Sequence, residues 1–215
     1  MILNTPLFNY RIATVDSLSI KSLVEAAKSF PERLQTHISQ RQILQDKACR
    51  IQAWLLLKDC LQVLGIKRDD ILDAVQFNAL GKPYFEASSF LELNLVINFN
   101  FSHSDSKVIC VVSTKHNIGV DIEKIYAFEK SLQTYYFTQP EIDFITQQSN
   151  PDKAFLSIWT KKEALLKCLG VGIAYIDLVS IEVLSSSIIY QQRSYHFYEI
   201  DSVFGYMAHV CMENI

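Results

Sequence analysis

Between residues 40 and 64, apolar side chains recur at helical spacing without a break, and this stretch limits the architectures open to the chain. Ile43, Leu44, Ile51, Trp54, Leu55, Leu61 and Leu64 carry the pattern, and Gly65 supplies its C-terminal stop. Within it the run Trp54-Leu55-Leu56-Leu57 is cut by Lys58, far short of a membrane span. Past Asp69-Asp70 the period changes to that of strands. Residues 75–80 lead into a Gly81-Lys82-Pro83-Tyr84 turn. Residues 96–101 and 107–114 read as two strands with a polar loop, 102–106, between them, and 118–124 alternates strictly. A helix is expected over 16–30, interrupted by Pro31. Two more are expected, from about Pro140 and over 151–169, the latter closed by Gly170 and Gly172. Three late strands are expected near 178–184, 195–200 and 205–212. Helices then strands, twice over, predict an α+β chain with two halves of comparable size, 1–114 and 115–215, meeting near Lys115-His116-Asn117.

Composition narrows the class. A chain of 215 residues, 49% apolar and 20% charged, can bury a substantial core and needs no partner to fold. Twenty Lys and Arg against 23 Asp and Glu leave a formal charge of −3, which argues against a general nucleic-acid binder. The five cysteines are scattered, with no Cys-x-x-Cys pair, and read as reduced core thiols of a cytoplasmic protein rather than a zinc site. Met1-Ile2-Leu3-Asn4-Thr5-Pro6 lacks the pattern of a signal peptide.

Three separated stretches hold the candidate chemistry. In Gly119-Val120-Asp121-Ile122-Glu123 the two acids leave one face of a strand while Val120 and Ile122 leave the other. A half-buried strand with one wetted face accounts for that pattern too. On the last long helix Glu163 and Lys167 are four apart, the spacing of a surface ion pair, and Glu163 sits at the margin of the stripe Phe155, Ile158, Trp159, Leu166, Leu169. Three carboxylates brought together would repel unless a divalent cation joined them. Magnesium prefers a few carboxylates plus phosphate oxygens and water, so Asp121, Glu123 and Glu163 are the candidate ligands. Ser102-His103-Ser104, expected in a loop, offers hydroxyls and an imidazole to a phosphate, and Lys82 adds a cation on a rigid turn. No Gly-x-Ser-x-Gly elbow is present, so a serine nucleophile is not expected.

In this order, Gly81-Lys82-Pro83-Tyr84, the Phe-Asn-x-Ser-His-Ser stretch from Phe99, Gly119-x-Asp121-x-Glu123 and Trp159-x-x-Lys162-Glu163-x-x-x-Lys167 resemble the surfactin-type 4′-phosphopantetheinyl transferases. The resemblance covers nearly the whole chain. It implies a monomer of two similar α+β halves related by a pseudo-twofold axis, with coenzyme A in the cleft between them. It also implies magnesium-dependent transfer of the phosphopantetheine arm to a serine of an apo acyl or peptidyl carrier protein, releasing adenosine 3′,5′-bisphosphate. On that pattern Asp121, Glu123 and Glu163 take the magnesium, Ser102, His103 and Lys82 hold the nucleotide's phosphates, and Lys167 neutralises the pyrophosphate. Glu163 is then a candidate base for the carrier serine. Arg50 aligns with a residue that contacts the 3′-phosphate, whereas Leu34-Gln35-Thr36-His37 lacks the lysines of the type member. Glu141 matches a further family glutamate, and a place at a helix N-terminus suits it equally. Two other classes fit the same residues: a non-catalytic coenzyme A or nucleotide-binding module, and a magnesium-dependent phosphohydrolase in which water replaces the carrier serine.

Overall fold

A computed structural model of the chain describes residues 7–93, 95–127, 133–201 and 203–214. Met1 to Pro6, read above for a signal peptide, lie outside the described residues. The chain forms two compact units, Met1–Lys115 and His116–Ile215, both α+β.

The first unit runs β1 (Asn9–Thr14), α1 (Ile20–Ala26), α2 (Glu32–Ser39), α3 (Leu44–Val63), β2 (Val75–Phe77), β3 (Pro83–Phe85), β4 (Asn98–Ser104) and β5 (Lys107–Ser113). Its antiparallel sheet has the order β1-β5-β4, and β2 pairs with β3 as a separate hairpin. Helix α3 packs on β1 and β5 and buries Ala48, Cys49, Ile51, Ala53, Trp54, Leu56, Leu57, Cys60 and Leu61. The helix starts later than its apolar pattern does: Ile43 and Leu44 are 69% and 54% exposed, so they extend the pattern without joining the core. It ends as expected at Gly65 (φ +81°), where the amides of Gly65 and Ile66 bond back to the carbonyls of Gln62 and Leu61. A Cβ is disfavoured at that φ, and the two back-bonds satisfy carbonyls that the last turn would otherwise strand.

The expected start of the first helix is not met. Residues 16–19 are a turn closed by Asp16 and Ser19, whose side chains bond each other's amides, so helix α1 begins only at Ile20. These short polar side chains compete with helical backbone bonds. Pro31 interrupts the helical stretch as expected, since the backbone turns extended at Phe30, and it also caps the unforeseen α2, where its missing N–H costs nothing.

The second unit runs β6 (Ile118–Lys124), α4 (Gln133–Tyr136), α5 (Gln139–Gln147), α6 (Pro151–Leu169), β7 (Ser187–Tyr190), β8 (Arg193–Glu199) and β9 (Tyr206–Asn214). Its sheet is antiparallel with the order β6-β9-β8-β7, and α6 lies across β6 and β9. The strand expected near 178–184 is absent there: Leu178–Ser180 is a 3-10 turn, and the edge strand forms later, at β7. Two lysines of α6, one buried and one half-buried, account for that irregular backbone, as described below. Among the described residues, no helix is long and apolar enough to cross a membrane.

Candidate active site

The acidic cluster depends on how closely α6 approaches β6. A Cβ on Gly119 would stand 2.9 Å from Cys168 Cα and would also overlap the Ala164 carbonyl oxygen and the Cys168 nitrogen. Only glycine admits the helix backbone there. Asp121 lies two residues further along the same face. Its Oδ1 accepts a hydrogen bond of 2.7 Å from Lys167 Nζ, and the residue is only 3% exposed. Lys167 sits in the last turn of α6, where a cation also complements the helix dipole. Glu163, one turn earlier and half-buried, has its carboxyl pushed above the usual value by burial, then by the Asp121 charge, with Lys167 acting in the opposite direction. Glu123 and Tyr126 share this region: the Tyr126 hydroxyl is raised by burial and then by the Glu123 and Asp121 charges.

Spacing along the helix offered an ion pair of Lys167 with Glu163 as the plain alternative; Lys167 also reaches across to Asp121. Among the described residues, no group of three His, Cys, Asp or Glu stands close enough to hold a metal ion. The donors nonetheless suit magnesium in kind, since all are hard carboxylate oxygens and Asp121 and Glu163 already feel each other's charge.

Lys162, the motif neighbour of Glu163, points away from this cluster into the core. It is fully buried, and its ammonium meets Glu141 Oε2 at 2.8 Å and the carbonyls of Leu178 and Ile181 at 2.8 and 2.5 Å. Three N–H donors thus find three acceptors. Burial lowers the Lys162 ammonium from its usual value, and Glu141 works against that shift. Glu141 in turn accepts from the amides of Thr138 and Val183, each at 2.8 Å, and completes a capping box with Thr138. Both readings left open for Glu141 are therefore joined by a third role, that of buried counter-ion. Lys161 adds bonds to the carbonyls of Val183, Leu184 and Ser185. These contacts draw the 178–185 backbone onto α6 and away from a strand ladder.

His209 faces α6 from β9, directly opposite Asp121 in the β6–β9 register. Thr160 Oγ1 donates to the Leu156 carbonyl at 2.7 Å, so at 2.7 Å from His209 Nδ1 it accepts a hydrogen bond from that nitrogen's N–H. Burial, then the Lys161 charge, takes the imidazole down to about 3. Sequence reading passed over His209, Gly119 and the Glu141–Lys162 pair. The first has no local signal; an isolated glycine in a strand and a Thr-x-x-Glu before an apolar run were the available ones.

The candidate phosphate contacts lie in the first unit. Ser102 and His103 belong to strand β4, paired with Ile109 and Val108, and not to a loop; the turn is at Asp105, whose φ is +52°. Being adjacent on a strand, they leave opposite faces. Ser102 is buried beside Asn100, whereas His103 follows Phe99 and Phe101 toward α3, where both rings contact Trp54. There His103 Nε2 lies 2.7 Å from Asp46 Oδ1. Arg50, one turn along α3, lies 3.5 Å from Asp46 Oδ2 through Nε. Lys82 lies on the β2–β3 turn, its amide bonded to Asn78 Oδ1 at 2.8 Å. Gly81 has a φ of +81° in that turn, which only glycine adopts freely.

Comparison with known proteins agrees with this architecture. Residues 117–205 match the 4′-phosphopantetheinyl transferase superfamily. The chain is 30% identical over 165 residues to the 4′-phosphopantetheinyl transferase gsp of Aneurinibacillus migulanus, an alignment covering 73% of this chain and 65% of that protein. It is 32% identical over 168 residues to a Haemophilus influenzae protein provisionally named 4′-phosphopantetheinyl transferase, covering 75% of this chain and 67% of that one. With the 4′-phosphopantetheinyl transferase HetI of Nostoc it shares 34% identity over 111 residues, 49% of this chain and 45% of that protein. The chain thus spans about two thirds or less of the length of these relatives. It belongs to the 4′-phosphopantetheinyl transferase superfamily.

Proposed function

We propose that the protein transfers the 4′-phosphopantetheine arm of coenzyme A to a serine of an apo acyl or peptidyl carrier protein. The observation that carries this reading is the Lys167–Asp121 pair beside Glu163, on a helix pressed against the strand that also bears Glu123. The names of the relatives support it. In the reaction the serine oxygen forms a bond to the phosphorus next to the pantetheine, and the bond from that phosphorus to the bridging oxygen breaks. Adenosine 3′,5′-bisphosphate leaves with that oxygen. Phosphoryl transfer of this kind calls for positive charge and in-line positioning more than for a covalent intermediate.

Asp121, Glu123 and Glu163 would hold magnesium, which when bound neutralises charge on the diphosphate. Lys167 would add a second positive charge and donate to the departing phosphate oxygen. Glu163 would accept the serine proton, directly or through water; burial and the Asp121 charge, which raise its carboxyl, suit it to that task. Arg50, His103, Ser102 and Lys82 would bind the phosphates of the nucleotide. Since Ser102 and His103 leave opposite faces of β4, they would meet different groups. Five buried cysteines outside any disulfide and the modest net charge support a cytoplasmic protein with no nucleic-acid partner; the family resemblance adds a monomer with no membrane partner.

Incubation with coenzyme A, magnesium and a panel of apo carrier proteins, read by intact mass, tests the reading. A carrier gaining one phosphopantetheine group is the expected result. Coenzyme A cleaved equally well without any carrier would replace the transferase with a phosphohydrolase. Coenzyme A bound but left whole with every carrier would leave a binding module.

A further inference from the structure

In the first unit an acid sits among bases. Asp46, in the first turn of α3, reaches three basic side chains: its Oδ1 lies 2.7 Å from His103 Nε2, and its Oδ2 lies 3.5 Å from Arg50 Nε and 3.7 Å from Arg41 Nε. His37 belongs to the same neighbourhood. Burial, followed by the charges of Arg50 and Arg41, lowers its imidazole from the usual value, and its ring stacks on Phe77 at 4.6 Å. Three basic side chains, from α3, from the residues before it and from β4, thus converge on one carboxylate, with His37 of α2 beside the two arginines.

The contacts of Asp46 differ in kind. The bond to His103 is short, and an ionised carboxylate can only accept, so Nε2 carries the proton and the ring is held in one orientation. The two arginine contacts are longer than a good hydrogen bond. Coulomb attraction gathers the two guanidinium groups around the carboxylate. Arg50 Nε is buried and makes no hydrogen bond among the described residues, which suits a group waiting for an acceptor. Side chains of Asp46, His103 and Arg50 are 27%, 31% and 26% exposed, so the cluster is reachable from solvent.

We propose that Asp46 is the positioning residue of the nucleotide-phosphate site: it orients His103 through Nε2 and gathers Arg50 and Arg41 on its second oxygen, so that the donors are ordered before coenzyme A arrives. This rests on the transferase reading, in which His103 and Arg50 meet phosphate. The acid acts through its neighbours and does not touch the ligand. Arg41 then supplies positive charge in a sequence whose residues 34–37 lack lysine.

The test is calorimetric titration of coenzyme A into the wild type, Asp46→Ala and Asp46→Asn, with initial rates on a carrier protein. Asp46→Ala is expected to raise Kd and KM for coenzyme A about 10-fold while kcat stays within about twofold, the pattern of lost supporting contacts. Asp46→Asn keeps an oxygen for the Nε2 proton but loses the charge, so it should fall between the two. It also serves if the alanine variant fails to fold. Unchanged affinity in both variants would overturn the proposal, as would tighter binding, which would make Asp46 a competitor of the phosphate. A fall in kcat equal to the rise in KM would overturn it too. Failure of the wild type to bind coenzyme A would instead remove the transferase reading, and this proposal with it.

Discussion

Replacing Gly119 with alanine should disable the acidic cluster without touching any of its charged groups. The new Cβ would lie 2.9 Å from Cys168 Cα and closer still to two other backbone atoms of α6, so no side-chain rotation relieves it. The closest of these atoms is the Ala164 carbonyl oxygen, and moving the new Cβ out to an ordinary separation of about 3.5–4 Å from it requires the helix to retreat by more than about 1 Å. A retreat of that size stretches the 2.7 Å Lys167–Asp121 bond beyond hydrogen-bonding range. Overpacking of this kind costs about 1–3 kcal/mol. For a chain of this length each kcal/mol lowers Tm by about 2–4 °C. A 1 Å displacement of catalytic groups costs about 100-fold in rate. Differential scanning calorimetry and carrier-protein labelling would measure the two effects on one preparation. An alanine variant with wild-type Tm and wild-type rate would refute the reasoning, because it would mean that the approach of α6 to β6 positions nothing.

Lys162→Ala leaves Glu141 as a buried charge without its cation, and stability is expected to fall by about 3–5 kcal/mol in urea denaturation; a loss below 1 kcal/mol would deny the pair its structural role. His209 titrates lower in the fold, at about 3, than the roughly 6.5 of an unfolded chain, so the unfolded state binds the proton first. Stability from this group is therefore full above about pH 6.5 and declines by about 1.4 kcal/mol per pH unit toward about pH 3, some 2 kcal/mol between pH 7 and 5. His209→Gln should flatten that part of the urea-midpoint profile, and an unaltered slope would contradict the assignment. Lys167→Ala is expected to lower kcat more than it weakens coenzyme A binding, as stopped-flow labelling and calorimetry can show; a loss confined to binding would contradict its role at the leaving group.

Much of the fold was legible because it is written in local periods. The apolar recurrence of α3, the strict alternation of β6, Pro151 and Gly170 bounding α6, and the glycine after α3 each act through neighbours a few residues away. Elements with competing local chemistry misled. Asp16 and Ser19 bond each other's amides in a turn, and the 178–184 stretch bonds lysine side chains instead of a neighbouring strand.

The candidate acids and bases were also readable by type and spacing, and the alternation that put Asp121 and Glu123 on one face holds in the register of β6 with β9. Partner choice was not readable. Lys167 bonds Asp121 across 46 positions, His103 bonds Asp46 across 57, and Lys162 turns inward while its neighbour Glu163 stays at the cluster. A helical or strand period states which way a side chain leaves its own element and nothing about what waits there. That depends on how closely two backbones pack, as at Gly119, and such contacts exist only once the chain has folded.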